Sequence, residues 1–145
     1  MIHEKLMRIQ TEIKAPKNLY NSFGKYKYRN AEGICEAVKP FLKKENVSLV
    51  LVDDIVSVGG RVYVKATAIL TDNDDSTEVS VSAFARESEE KKGMDESQIT
   101  GTASSYARKY ALNGLFLLDD TKDADSDEYK QEIDAKYEQK KGEEE

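Results

Sequence analysis

A chain of 145 residues, 39% of them hydrophobic, has room for one modest core, so we expect a single folded domain. No apolar run approaches the roughly 20 residues that cross a bilayer, and the N-terminus lacks the apolar segment of a signal peptide. These features predict a soluble, cytoplasmic protein without membrane partners. The single cysteine, Cys35, rules out an internal disulfide and fits a reducing compartment.

The net charge of −6 argues against a nucleic-acid binder, but this charge is an average over an uneven distribution along the chain. Up to Leu118 the sequence carries 17 Lys and Arg against 16 Asp and Glu, and beyond it 5 against 12. We therefore divide the chain into a core domain, residues 1–118, and an acidic, disordered tail, residues 119–145. Two windows of the core, Ile13–Ala31 and Ser97–Leu118, contain cations but no carboxylate, so they can form a basic surface.

Two amphipathic helices are predicted in the first third of the chain. Apolar residues at helical spacing predict the first helix from Ile2 to Ile13, and Ala15-Pro16 ends it. A polar, aromatic loop follows, and Asn30 is the expected N-cap of the second helix. Pro40 should kink that helix or end it early. Its apolar stripe consists of Ile34, Val38, Phe41 and Leu42.

The middle of the chain predicts a three-stranded antiparallel meander. Val47–Val58 is rich in β-branched residues, Gly59-Gly60 is a two-residue hairpin signal, and Arg61–Leu70 alternates strictly. A polar turn, Asp72–Thr77, leads to a third alternating strand, Glu78–Arg86. One face of the last two strands should be core, formed by Val62, Val64, Ala66, Ala68, Leu70, Val79, Val81, Ala83 and Ala85. The opposite face, suited to nucleic acid, carries Arg61, Tyr63, Lys65, Ser80, Ser82, Phe84 and Arg86.

A charged loop, Glu87–Glu96, precedes a third predicted helix, Gln98–Phe116, in which Asn113-Gly114 is the expected stop. Residues Ile99, Ala103, Tyr106 and Tyr110 form one stripe, which we assign to packing on the sheet. A second stripe consists of Gly101, Ser104, Ser105 and Arg108. Its hydroxyl and guanidinium groups can donate hydrogen bonds to phosphate oxygens, although Arg108 and Lys109 fit a solvated helix face equally well.

Aromatic and basic residues alternate in the segment Tyr20–Arg29. Tyr20, Phe23, Tyr26 and Tyr28 are interleaved with Lys25, Lys27 and Arg29. Unpaired bases stack on aromatic side chains for about 1 to 3 kcal/mol each, and cations neutralise phosphates, so this pattern favours single strands without sequence preference. The alternative interpretation is a charged hairpin whose tyrosines cover the core.

Catalytic interpretations have weak support in the sequence. The only histidine, His3, lies at the terminus, and no phosphate-binding Gly-Lys-Ser/Thr loop is present. Asp123-x-Asp125-x-Asp127 begins like a calcium loop, but Glu128 and Asp134 occupy positions that require glycine and glutamate. A solvated acidic tail is the simpler interpretation. Competition of this tail with DNA is a separate hypothesis, which truncation after Leu118 would test. Two alternatives stay open: a metal-dependent nuclease using the acidic cluster Asp119–Asp125, and a protein-interaction module that binds no DNA.

The run from Gly101 to Phe116, followed by Asp119-Asp120, resembles the signature of the ERF family of phage single-strand annealing proteins, as do Tyr20–Glu32 and Lys91–Asp95. The resemblance covers roughly Ile2 to Asp125. It implies a β-β-β-α annealing core preceded by helices, and an α+β fold. It also implies ATP-independent annealing of complementary strands in phage recombination and repair, within a bacterial host cell, by rings or helical filaments of the chain. A phage exonuclease or a host single-strand binding protein is a further implied partner.

Carried over by position, the resemblance makes Arg108 and Lys109 DNA contacts and Tyr106 and Tyr110 structural residues. We therefore expect no catalytic residue, metal or cofactor. We expect the hairpin loop, the sheet and the third helix to converge on one basic furrow that holds unpaired DNA. The predicted DNA-binding residues are Lys25, Tyr26, Lys27, Tyr28, Arg29, Arg61, Lys65, Arg86, Ser104, Ser105, Arg108 and Lys109.

Overall fold

The alternating segments between Val47 and Arg86 form the antiparallel sheet around which the helices are arranged. The computed structural model describes residues 1–89 and 94–119. In chain order the elements are α1 (Ile2–Glu12), β1 (Leu19–Asn21), β2 (Tyr26–Tyr28), α2 (Ala31–Glu45), β3 (Val47–Val58), β4 (Arg61–Asp72), β5 (Glu78–Arg86) and α3 (Glu96–Phe116). The predicted α+β class is confirmed. Residues 120–145 of the predicted tail, with its acidic cluster from Asp120 onward, and residues 90–93 of the charged loop lie outside the described residues.

The described residues fall into two units. Residues 1–15 and 30–119 form one of them, and residues 16–29, which contain β1 and β2, belong to the other. In the first unit the sheet has the order β3-β4-β5, and in the second β1 pairs with β2, antiparallel in both cases. The predicted polar loop after α1 therefore contains a short hairpin, the structure that the alternative interpretation of this segment expected.

Strand alternation positions the sheet's two faces as predicted. Gly59 and Gly60 have φ values of 58° and 76°, the paired positive angles of a two-residue hairpin turn. The turn sets a register in which Leu51 lies opposite Ala68, and Ala68 opposite Val81. All of these side chains lie on one face, called the inner face below. Its central residues are fully buried: Val64, Ala66, Ala68 and Leu70.

Helix α3 covers the inner face through a row of small residues. Ile99, Ala103, Ala107, Ala111 and Leu115 recur at every fourth position, and all are buried. Alanine methyl groups let the helix approach the sheet closely, and a Cβ added at Gly114 would lie 3.2 Å from Val81 Cγ1. The predicted packing stripe is therefore confirmed for Ile99 and Ala103 and wrong for Tyr106 and Tyr110. Tyr106 and Tyr110 flank the alanine row and remain 46% and 42% exposed, because no ring fits at this short helix-to-sheet distance.

The other two helices contribute apolar stripes to the same core. Ile2, Leu6, Ile9 and Ile13 are buried along α1, as predicted. In α2, Ile34 and Val38 are buried, and the Asn30 side chain caps the helix by accepting the Gly33 N–H at 2.9 Å. A fully buried isoleucine or valine contributes about 1.5 to 3 kcal/mol, so these stripes anchor both helices.

Two local helix-ending signals do not end their helices. Pro40 does not end α2, which continues to Glu45, because Phe41 and Leu42 pack against the core and Asn46, in the left-handed conformation, closes the last turn. The predicted end of α3 at Phe116 is confirmed, but Asn113-Gly114 is not its stop, because Leu115 and Phe116 are buried. In both cases tertiary packing outweighs a local helix-ending signal.

Helix α3 also begins two residues before the predicted start. The Asp95 carboxylate accepts the Gln98 backbone N–H at 2.8 Å, and the Gln98 side chain accepts the Asp95 backbone N–H at 3.0 Å. This reciprocal capping box fixes the first turn. Within residues 1–89 and 94–119, none of the helices combines the length and apolar character needed to cross a membrane.

Candidate nucleic-acid interface

The hairpin of β1 and β2 has a turn held by its own side chains. The Asn21 Oδ1 atom accepts the backbone N–H groups of Phe23 at 2.9 Å and Gly24 at 3.1 Å. Gly24 lies against the Tyr26 ring so closely that a Cβ would be 2.2 Å from Tyr26 Cε1. Lys25 adopts the left-handed conformation, with φ of 54°. These contacts define the backbone of the tip, and the Phe23 side chain, 99% exposed, projects from it.

The two strands sort the interleaved residues of this hairpin onto separate faces. Tyr20 lies directly opposite Lys27 in the register, so the ring and the cation share one face. Tyr26 and Tyr28 share the other face, with ring centroids 6.2 Å apart in an edge-to-face arrangement. Of the predicted hairpin residues, Lys25 and Lys27 are exposed and Tyr26, Tyr28 and Arg29 are half-buried. The sequence alternation therefore yields an exposed face that carries Tyr20 and Lys27, and the exposed Phe23 ring lies at the tip of the same hairpin.

On α3 a lysine lies over two tyrosine rings. Tyr106 and Tyr110, one helical turn apart, stack with centroids 6.2 Å apart and an interplanar angle of 27°. The Lys109 ammonium lies 5.3 Å from the Tyr106 centroid and 5.5 Å from that of Tyr110. Each such cation–π contact is worth about 0.5 to 1 kcal/mol at an exposed site. Together they hold a positive charge beside two half-exposed aromatic rings, which we call the tyrosine–lysine cluster.

On another side of α3, Ser104 and Arg108 both contact Asp53 of β3. The Arg108 Nε atom donates to Asp53 Oδ1 at 3.0 Å, and the Ser104 hydroxyl donates to Asp53 Oδ2. Burial raises the pKa of Asp53, but the hydrogen bonds from Arg108 and Ser104 outweigh it and leave that pKa below its usual value. Asp53 is therefore ionised at neutral pH, and Arg108 is paired within the fold while its side chain is still 40% exposed.

The remaining predicted cations lie on the sheet. Lys65 and Phe84 face each other across β4 and β5, with the Lys65 ammonium 5.9 Å from the ring centroid. Thr67 and Ser82 share a hydrogen bond of 2.8 Å on the same, outer face. At the end of the sheet a cleft of about 410 Å³ is lined in part by Arg61, Arg86, Glu87, Glu89 and Glu96. These three carboxylates weaken the attraction of the two arginines for phosphate.

The predicted single furrow is wrong for Lys65, whereas Arg86 lines a cleft together with Ile99 and Tyr106 of α3. Lys65 lies on the outer face of the sheet, whereas α3 packs on the inner face, where Asp53 meets Arg108. Strand alternation separates Lys65 from the residues that contact α3, because neighbouring residues of a strand point to opposite faces. Ser105 is exposed on α3, and its hydroxyl is accessible. Lys25–Arg29 belong to the unit that contains the hairpin.

Sequence reasoning missed Asp53 and the capping residue Asp95. Asp53 contacts Ser104 and Arg108 across 51 and 55 residues of sequence, a separation that no local pattern reveals. Asn113, predicted only as a helix end, is 8% exposed, and its amide has no hydrogen-bond partner among the residues that the structure describes. Within those same ranges no group of three or more His, Cys, Asp or Glu side chains is arranged to hold a metal ion.

Comparison with known proteins agrees with the resemblance seen in the sequence. A family model described as the ERF superfamily matches residues 2–145. The "Essential recombination function protein" of Salmonella phage P22 is 58% identical over 133 residues. The match covers 92% of this chain and 63% of that relative, so the chain spans less than two thirds of the relative's length. No solved structure gives a significant match.

Proposed function

Because this chain belongs to the ERF superfamily, we propose that it binds single-stranded DNA and anneals complementary strands, without ATP, in phage homologous recombination. The similar phage P22 protein is named for an essential recombination function, which supports the process. Annealing requires no covalent chemistry, so the protein acts as a binding protein rather than an enzyme. We place this activity in the cytoplasm of the bacterial host.

The observation that carries the proposal is the tyrosine–lysine cluster of α3. A cation beside two half-exposed rings offers both contacts that a single strand needs, neutralisation of a phosphate and stacking of a base. Between Ser97 and Leu118 the sequence contains no carboxylate. The hairpin repeats the same combination with Tyr20 opposite Lys27 and with the exposed Phe23 at its tip.

The proposed mechanism rests on charge and on chain entropy. Lys109, Lys27 and Arg108 reduce the repulsion between two strands by neutralising phosphates. A strand held in an extended form has already lost part of its conformational entropy, so less remains to be lost on pairing. A ring or helical filament of subunits would repeat these contacts along the strand. Base pairing then supplies the free energy of annealing, and an exonuclease or a single-strand binding protein supplies the strands.

The test is one assay with two readouts. Complementary fluorescent oligonucleotides are mixed with the protein without ATP, and duplex formation and strand length are followed together. Accelerated pairing of intact strands is expected, and charge reversal at Lys109 should slow it while leaving the fold unchanged. Shortened strands in the presence of magnesium would instead indicate a nuclease. Absence of any salt-dependent affinity for DNA would indicate a protein-interaction module.

A further inference from the structure

Asp53 is an acidic residue in direct contact with Ser104 and Arg108, two of the residues predicted to bind DNA. It lies on β3 opposite Ala66, on the inner face, where α3 passes over the sheet. Each of its two carboxylate oxygens accepts one hydrogen bond, Oδ1 from Arg108 Nε at 3.0 Å and Oδ2 from the Ser104 hydroxyl. The side chain is 27% exposed, so the contact is partly shielded from water.

The geometry of the contact uses one N–H group of the Arg108 guanidinium and leaves the four on its two Nη nitrogens. A guanidinium carries five N–H groups in a rigid, planar fork, one on Nε and two on each Nη. Within residues 1–89 and 94–119, Arg108 is held through Nε, and neither Nη nitrogen donates a hydrogen bond to the protein. The Arg108 side chain is 40% exposed. The edge formed by the two Nη groups can therefore donate to two oxygens of one phosphate.

We propose that Asp53 is a positioning residue, which fixes Arg108 so that its Nη edge receives a backbone phosphate of single-stranded DNA. This inference rests on the function proposed above. Ser104 then has a different role from the one predicted for it. Its single hydroxyl hydrogen is donated to Asp53, so it orients the carboxylate rather than contacting phosphate.

Two effects of Asp53 on DNA binding oppose each other, and substitutions separate them. The negative charge of Asp53 repels phosphate, whereas its oxygen orients Arg108. Asp53→Asn removes the charge but keeps an oxygen that accepts the Arg108 Nε–H. Asp53→Ala removes the charge and the acceptor together. The two variants have the same net charge, so a difference between them measures orientation alone.

The experiment measures the affinity of wild type and both variants for a fluorescent oligothymidylate, each also in an Arg108→Ala background. Asp53→Asn is expected to bind about tenfold more tightly than Asp53→Ala, the factor that corresponds to one modest hydrogen bond to a charged group. In the Arg108→Ala background this difference should disappear, which a merely structural role of Asp53 would not produce. Asp53→Val, which suits a strand, replaces Asp53→Ala if the latter does not fold.

Three results would overturn the inference. Equal affinities of Asp53→Asn and Asp53→Ala, or tighter binding by Asp53→Ala, would mean that Asp53 only repels the strand. A difference that persists without Arg108 would mean that Asp53 acts on the fold. If either result is found while the wild type binds and anneals single strands, the role of Asp53 is refuted and the proposed function stands. Absence of oligothymidylate binding by wild type would instead refute the proposed function together with the role of Asp53.

Discussion

Phe23 at the hairpin tip provides a test in which binding and folding are cleanly separated. Its side chain is 99% exposed, so Phe23→Ala removes no contact within the fold, and the free energy of unfolding should change by less than about 0.5 kcal/mol. If a base stacks on the ring, affinity for single strands should fall by about 1 to 3 kcal/mol. Because phenylalanine carries no charge, the dependence of affinity on salt should be unchanged.

The assay is titration of an oligonucleotide that contains the fluorescent base 2-aminopurine, whose emission is quenched by stacking. Phe23→Leu serves as the matched control, since it keeps an apolar side chain but has no aromatic face. Phe23→Trp should restore binding, and the loss in Phe23→Ala should vanish on an oligonucleotide without bases. Equal affinity of wild type and Phe23→Ala for normal strands would refute base stacking. A loss shared with the abasic strand, or a change of oligomeric state, would indicate that the tip contacts another protein chain.

Three further predictions follow from contacts described above. Lys109→Ala should reduce the slope of log affinity against log salt by about 0.7, the value for one phosphate of a single strand, whereas Lys43→Ala on α2 should not. Asn113→Leu should raise the free energy of unfolding in urea by about 1 to 3 kcal/mol, because it removes a buried amide without a recorded partner; destabilisation would show that the amide is bonded. The hydrogen bond from Lys5 lowers the pKa of Asp72 from 3.8 to about 2. The ionised Asp72 therefore stabilises the fold above pH 3.8, and this stabilisation is lost as the pH falls through about 2. Asp72→Asn should abolish that part of the pH dependence of the free energy of unfolding in urea.

Much of the sheet could be predicted from the sequence because strand structure has a short period. The alternation in Arg61–Leu70 and Glu78–Arg86 predicted which residues are buried, and Gly59-Gly60 predicted the turn. Both features depend on residues that are adjacent in the chain. The N-cap at Asn30 is equally local, and it was predicted for the same reason.

The errors arose where distant contacts decide the outcome. Pro40 does not end α2 because core packing continues beyond it, and the sequence alone does not reveal that packing. Tyr106 was assigned to the packing stripe because its spacing is helical, but the row of alanines at every fourth position brings α3 too close to the sheet for a ring. The pairing of Asp53 with Arg108 depends on the register of β3 against the helix, which only the folded chain defines.

The alanine row of α3 has a consequence for how this surface can be redesigned. Ala103, Ala107 and Ala111 set the distance between helix and sheet, so a larger residue at any of them would push the whole helix outward. The residues that face solvent on the same helix carry no such restriction. Positions such as Gly101 and Ser105 can therefore be exchanged one at a time on an unchanged support, so the proposed role of α3 can be tested separately from the packing of the helix.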